Sequence, residues 1–345
     1  MLNDKIILIT GGTGSFGKKF IQIVLDKYEP RRLIIFSRDE LKQFEMAQRF
    51  SPRRYPFLRY ILGDVRDRDR LNRIFHEVDY VIHAAALKQV PAAEMNPAEC
   101  IKTNILGAMN VIDAALANNV KKVIALSTDK ASNPINLYGA TKLCSDKLFI
   151  AANVYRGFKK ETVFSVVRYG NVLGSRGSVV PFFMERARTG ILPVTDPRMT
   201  RFWITLDQGV RFVLQVLHIA TGGEIFVPKI PTMKITDLAR AIAPESSQKI
   251  VGIRPGEKIH ETLIGEDDGR NAFDCGQYFV VRESFHSAQS DGDAGDRGRR
   301  CPEGFSYTSD NNPQQMSVDE LKQMLNQIAD DFSIETSRWA MEGVP

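Results

Sequence analysis

Through the first half of the chain, short apolar runs alternate with longer amphipathic stretches. The runs are KIILIT (5–10), RLIIFS (32–37), LRYIL (58–62), YVIHAA (80–85), KVIAL (122–126) and TVFSVVR (162–168). They are rich in β-branched residues and lack strict alternation, so each predicts a strand covered on both faces. The stretches between them are long enough for crossover helices, which makes neighbouring strands parallel and the sheet doubly wound. Beyond residue 171 this rhythm stops, and Pro, Gly and basic residues recur in GSRGSVVPFF, TGILPVTDPRMTRFW and GIRPGEKIHE. That composition suits a ligand-binding cap better than further sheet. Residues 287–300, rich in Asp, Gly and Arg, predict a mobile surface loop. SVDELKQMLNQI predicts a last helix, with Ser317 as N-cap and Glu320 completing a capping box.

The first strand runs directly into Gly11, Thr13, Gly14, Ser15, Phe16 and Gly17, at the start of a helical pattern. Glycines here permit a tight turn and let a pyrophosphate approach backbone N–H groups at a helix N-terminus. A glycine-rich turn without a ligand is the bland alternative, and the strand–loop–helix context argues against it. An NAD site would place an acid at the end of the second strand, but Ser37, Arg38 and Lys42 stand there and can hold a 2′-phosphate. NADP is therefore the expected cofactor, the alternative being that Arg38 merely pairs with Asp39 or Glu40. Asp64 and Val65, after the third strand, are placed to meet the adenine, unless Asp64 is simply a helix cap. The expected fold is an α/β, Rossmann-like doubly wound parallel sheet over 1–170, carrying the cofactor and catalytic residues. A smaller, mainly substrate-binding region over 171–345 completes it, with some segments returning to the core.

Composition narrows the function without naming it. The 345 residues are 43% apolar and can bury a large core. Charged residues of both signs make up 25% of the chain, and the net charge of +5 is spread along it, which suits a small anionic ligand better than nucleic acid. No apolar run approaches the roughly 20 residues of a membrane span, and MLNDKIILIT passes straight into a strand, so a cytoplasmic location is expected. The four cysteines include no CxxC pair, and the five histidines form no HxH or HxxxH pair, so no bound metal is expected.

After the fifth strand come Ser127, Thr128, Asp129 and Lys130, then Tyr138 and Lys142 on a helical pattern. Tyr138 and Lys142 are four apart and share a helix face, where an ammonium can lower the phenol pKa. With an upstream hydroxyl such as Thr128, that pair can take a proton from a sugar hydroxyl while hydride leaves its carbon. The simple alternative for Asp129 and Lys130 is an exposed ion pair, although a loop at the carboxyl end of such a strand borders the ligand crevice.

TGGTGSFG, YGATK and HAAALKQV resemble the extended short-chain dehydrogenase/reductases. STDKASNPINLYGATK resembles the UDP-N-acetylglucosamine 4,6-dehydratases that invert C5, in the short soluble branch that opens pseudaminic acid biosynthesis for flagellin glycosylation. The likeness continues through MTRFWITLDQGV, RPGEKIHETLI and PEGFSYTSDNN, covering nearly the whole chain, while the 287–300 loop is longer than in that family. The resemblance implies that Tyr138, helped by Lys142, deprotonates the C4 hydroxyl as NADP takes hydride, that Lys130 is the base at C5, and that Asp129 protonates the departing C6 hydroxyl. Retaining relatives usually carry Asp-Glu where Asp129 and Lys130 stand, which favours inversion. It further implies cofactor contacts from Ala84, Lys88, Leu126, Ser127, Tyr138, Lys142 and Gly170. Substrate contacts would come from Lys88, Asn171, Ser175, Arg176, Gly177, Ser178, Val179, Thr195, Arg254 and Glu257. Lys88 and Arg254 either neutralise diphosphate or are ordinary solvated cations. A homo-oligomer is expected, with UDP-N-acetylglucosamine as partner and neither nucleic acid nor membrane. A 4-epimerase, a noncatalytic NADP sensor, and a dehydratase that also epimerises C5 are the alternatives.

Overall fold

The structure, a computed structural model, describes residues 1–155, 161–175, 177–282 and 298–327. The six apolar runs form β1 (Ile6–Thr10), β2 (Arg32–Ser37), β3 (Leu58–Leu62), β4 (Tyr80–His83), β5 (Lys122–Thr128) and β6 (Val163–Tyr169). Between them lie α1 (Ser15–Lys27), α2 (Glu40–Arg49), α3 (Arg68–Ile74), α4 (Val90–Met95), α5 (Pro97–Ile101), α6 (Gly107–Ala117) and α7 (Leu137–Tyr155). All six strands are parallel, in the order β3-β2-β1-β4-β5-β6. Strand order reverses between β1 and β4, the place where an open α/β sheet leaves a crevice at its carboxyl edge.

Beyond residue 170 follow β7 (Asn171–Val172), α8 (Val179–Ala187), β8 (Ile191–Val194), β9 (Thr200–Ile204), α9 (Leu206–Ile219), β10 (Glu224–Pro228), β11 (Thr232–Lys234), α10 (Ile235–Ile242) and β12 (Ser247–Ile250). The remainder is β13 (Thr262–Ile264), α11 (Glu266–Gly269), β14 (Ala272–Asp274), β15 (Tyr278–Arg282), β16 (Arg299–Arg300), β17 (Tyr307–Thr308) and α12 (Val318–Gln327). Here the structure corrects the expectation that this half adds no sheet. β10 lies parallel beside β6, β15 pairs antiparallel with β10, and β14 and β16 extend the edge. These strands are short and sit between turn residues, so they do not reproduce the rhythm of the first half. Arg299 and Arg300, at the end of the predicted 287–300 loop, pair with Asp274 and Phe273; 287–297 lie outside the described residues.

The described residues form two compact units. The first takes Met1–Tyr169, Val210–Lys229 and Thr262–Ser306, and the second takes Gly170–Gly209, Ile230–Glu261 and the residues from Tyr307 onward. The first contains the ten-stranded sheet. The second has its own core, in which Trp203, Phe183, Leu192, Leu238 and Leu321 are buried. Its last helix begins as predicted: the Ser317 hydroxyl accepts from the Glu320 N–H at 3.2 Å, and the Glu320 carboxylate accepts from the Ser317 N–H at 2.8 Å. No described helix is long and apolar enough to cross a membrane.

Candidate active site

β1 delivers the glycine loop to the point where strand order reverses. Gly11 has φ +65°, and a Cβ there would lie 2.9 Å from the Ala85 backbone, so only glycine lets the loops after β1 and β4 touch. Thr10 fastens the same two loops, its hydroxyl accepting from the Ala84 and Ala85 N–H groups at 3.2 Å each. That leaves the Thr10 proton for His83 Nδ1, 2.9 Å away, which fixes a neutral imidazole with its proton on Nε2. Burial, reinforced by the Lys142 ammonium, lowers the His83 pKa to about 3. Gly14 is the N-cap of α1 and has no side chain to cap it, so the first turn keeps N–H groups for an anion.

At the ends of β2 and β3, the Ser37 hydroxyl accepts from Gln43 Nε2 at 3.0 Å. Asp39 caps α2 by accepting from the Lys42 N–H, and it also receives the Lys42 ammonium. Arg38 is half exposed and reaches Asp64 at 3.5 Å. Asp64 is not the cap of α3, since Asp67 accepts from the Arg70 N–H there. Burial alone would raise the Asp64 pKa, but hydrogen bonds from Arg66 and the charges of Arg38 and Arg66 outweigh it and hold the carboxyl low. Val65 is buried beside it.

β5 ends in Thr128, and the chain turns at once through a 3₁₀ segment, Asp129–Ala131. Thr128 caps that turn and donates to Asp129 Oδ1 at 2.9 Å. Lys130 Nζ meets the same oxygen at 3.1 Å, with the Asp129 side chain 1% exposed and that of Lys130 27%. This is a half-sunken pair, not the exposed one posed as the alternative. α7 is brought against the turn by Gly139, where a Cβ would lie 2.2 Å from the Lys130 carbonyl oxygen. Tyr138, on the first turn of α7, is thereby held near that turn. Burial pushes its phenol up to about 12, opposed by the Lys130 charge. The spacing predicts Lys142 as the cation for Tyr138, and the Lys130 charge also favours the phenolate. Lys142, 4% exposed, couples to Asp146 one turn further on and to His83 on β4. Lys88 retains solvent-accessible surface, yet the protein packed round it and the Lys130 charge both lower its pKa.

Three supporting residues escape sequence reasoning. Asp146 is buried; its Oδ2 accepts from Ser127 Oγ at 2.7 Å and from Arg168 Nη2 at 3.2 Å. Arg168 on β6 also reaches Asp268 at 2.9 Å and the Leu263 carbonyl at 3.0 Å. Ser127 thus commits its hydroxyl proton inward, leaving the lone pairs of its hydroxyl for a cofactor. Asp146 falls on the Tyr138–Lys142 face at the next helical turn, a signal available in the sequence. Asn104, in a π turn over Lys102–Leu106, holds both Leu87 N–H (2.8 Å) and carbonyl (2.9 Å) and donates to Thr141 at 3.0 Å. It ties the Ala84–Lys88 loop to α7, and nothing in the local pattern announces it.

The remaining predicted residues belong to the second unit. Gly170 packs against Phe202, and Asn171 sits on β7 opposite Trp203. Ser175 precedes Gly177, which has φ +72° and no strain, and Ser178 and Val179 open α8. Asn171 Oδ1 and Ser178 Oγ are buried without hydrogen-bond partners. Thr195 follows β8, and Arg254 pairs with Glu257 at 3.3 Å. Arg176 lies outside the described residues. Among the described residues, no group of three or more His, Cys, Asp or Glu could hold a metal ion.

The model of a family described as polysaccharide biosynthesis protein matches residues 7–283. The UDP-N-acetylglucosamine 4,6-dehydratase (inverting) of Campylobacter jejuni subsp. jejuni serotype O:2 is 57% identical over 333 residues, 94% of this chain and 98% of the relative. The UDP-glucose 4-epimerase of Rickettsia canadensis is 44% identical over 292 residues, 81% of this chain and 84% of that one. Among solved structures, Pen from Bacillus thuringiensis superposes with a TM-score of 0.85 at 36% identity, covering 94% of this chain and 99% of its own. The chain therefore belongs to the polysaccharide biosynthesis protein family, in the group that includes the inverting UDP-N-acetylglucosamine 4,6-dehydratases.

Proposed function

We propose that this chain catalyses the inverting 4,6-dehydration of UDP-N-acetylglucosamine to UDP-2-acetamido-2,6-dideoxy-β-L-arabino-hex-4-ulose. The observation that carries this reading is the grouping of a carboxyl and an amine, with Thr128 and Lys130 both on Asp129, at the turn against which Gly139 packs the helix that carries the Tyr138 phenol. A 4-epimerase needs the phenol but no elimination acid and base.

NADP fits the residues present: a glycine cradle at Gly11, an α1 N-terminus without a side-chain cap, and Ser37, Arg38 and Lys42 near a 2′-phosphate position. When bound, it supplies a carrier that takes hydride from C4 and returns it at C6. Tyr138 Oη, as the phenolate that the Lys130 charge favours against burial, takes the C4 hydroxyl proton. The resulting ketone acidifies C5–H. A proton passed across the 3.1 Å pair from Lys130 to Asp129 leaves an amine base beside a carboxylic acid. Lys130 Nζ then takes the C5 proton, Asp129 protonates the C6 hydroxyl, and water departs, which restores the ammonium–carboxylate pair. A solvent-exchanged proton delivered to C5 from the opposite face, balancing the one Tyr138 took from the C4 hydroxyl, gives the inverted product.

Support for the nucleotide sugar comes from Asn171 Oδ1 and Ser178 Oγ, buried polar atoms that a ligand would satisfy, with Ser175, Gly177, Val179, Thr195, Arg254 and Glu257 in the same unit. Ile101, Leu106, Met109 and Val154 expose apolar surface on or next to α5, α6 and α7 and support a homo-oligomer. A cytoplasmic place at the start of pseudaminic acid synthesis, for flagellin or surface glycan modification, follows the resemblance.

NMR of the chain with UDP-N-acetylglucosamine in deuterated water tests the reaction. The expected product is a 4-keto-6-deoxy sugar of L-arabino configuration with deuterium at C5. A C4 epimer with its C6 hydroxyl intact would make the chain an epimerase, as the Rickettsia relative is named.

A further inference from the structure

We propose that Gln43 determines the cofactor preference of this chain, by fixing the Ser37 hydroxyl as a hydrogen-bond donor toward the 2′-substituent of the dinucleotide. This rests on the NADP reading above and adds a residue to it. Gln43 is 6% exposed on α2, and its Nε2 faces the Ser37 carbonyl at 3.2 Å, the Ile61 carbonyl at 2.9 Å and Ser37 Oγ at 3.0 Å. Two of those three groups can only accept, so the amide nitrogen is unambiguously the end that points there. Ser37 Oγ is therefore an acceptor from Gln43. Its own proton meets no acceptor among the described residues and is available to a ligand.

The flanking cations are already engaged. Lys42 sits on Asp39, and Arg38 reaches Asp64. A phosphate oxygen can only accept near neutral pH, so a hydroxyl locked as donor adds a directed bond to the charge that Arg38 and Lys42 offer, and does so for the 2′-phosphate far more than for a 2′-hydroxyl. Without the amide, the Ser37 carbonyl keeps only the Gly63 N–H at 3.0 Å, the Ile61 carbonyl loses the Gln43 donor, and the Ser37 proton turns inward to the acceptor positions vacated.

Isothermal titration of the full chain with NADP and with NAD, for wild type, Gln43→Met, Ser37→Ala and the double variant, tests this. The wild type should favour NADP, and either single change should reduce that preference about tenfold with little effect on NAD. The double variant should be no worse than Ser37→Ala alone, because both act through one hydroxyl. If Gln43→Met does not fold, Ser37→Cys keeps the shape, weakens the donor and should lose the same preference. Undiminished preference in Gln43→Met or Ser37→Cys, or additive losses in the double variant, overturns the inference alone. A wild type indifferent to the 2′-phosphate overturns the NADP reading and the inference with it.

Discussion

Lys130 and Lys142 carry the same functional group, and their surroundings divide the work. Lys130 keeps part of its surface open and its nitrogen on Asp129, as the proposed base at C5 requires. Lys142 is enclosed, and burial lowers its pKa while Asp146 works to keep it charged. Removing the Lys130 amine should therefore stop elimination without disturbing the glycine loop. Lys130→Ala is expected to bind NADP as the wild type does and to lose about 10²–10⁴-fold in dehydration rate, followed by product NMR. Undiminished dehydration would remove Lys130 from the mechanism.

Among the elements, α7 does most to assemble the site. It presents Tyr138, Lys142 and Asp146 on successive turns of one face, Asn136 accepts from the Gly139 N–H at its start, and Asn104 holds it to the loop after β4 through Thr141. Its closeness to the Asp129–Ala131 turn depends on one missing Cβ. In Gly139→Ala the new methyl must displace the Lys130 carbonyl, at an overpacking cost of about 1–3 kcal/mol. Thermal melts and turnover measured side by side should show a moderate loss of stability with a much larger loss of kcat, because the shift moves Tyr138 away from that turn. A variant as active as wild type would show that the contact does not govern the geometry.

At the scale of the whole molecule, the ten-stranded sheet buries groups that carry a pH signature. His83 at the end of β4 titrates near 3 when folded and near 6.5 when unfolded. Between those values the unfolded chain binds the extra proton, so stability is complete above about pH 6.5 and falls as pH drops toward 3. Going from pH 7.5 to 5 should cost about 2 kcal/mol from this residue. Urea denaturation at both pH values, for wild type and His83→Gln, should show a shallower fall in the variant; equal falls would assign the acid sensitivity to other groups.

Taken by itself, the sequence determined the six parallel strands, the glycine loop and the last helix with its capping box, because each depends on contacts within a few residues: apolar runs, a turn that needs glycine, a Ser and a Glu three apart. It also marked Tyr138, Lys142, Asp129 and Lys130, whose chemistry shows in their identity and spacing. Tertiary structure alone decided that Lys130 rests on Asp129, that Gln43 donates to Ser37, that Asn104 clamps the Ala84–Lys88 loop, and that β10, β14, β15 and β16 extend the first sheet. Those outcomes depend on distance and burial between segments far apart in the chain, where desolvation and the direction of a side chain outweigh any local pattern.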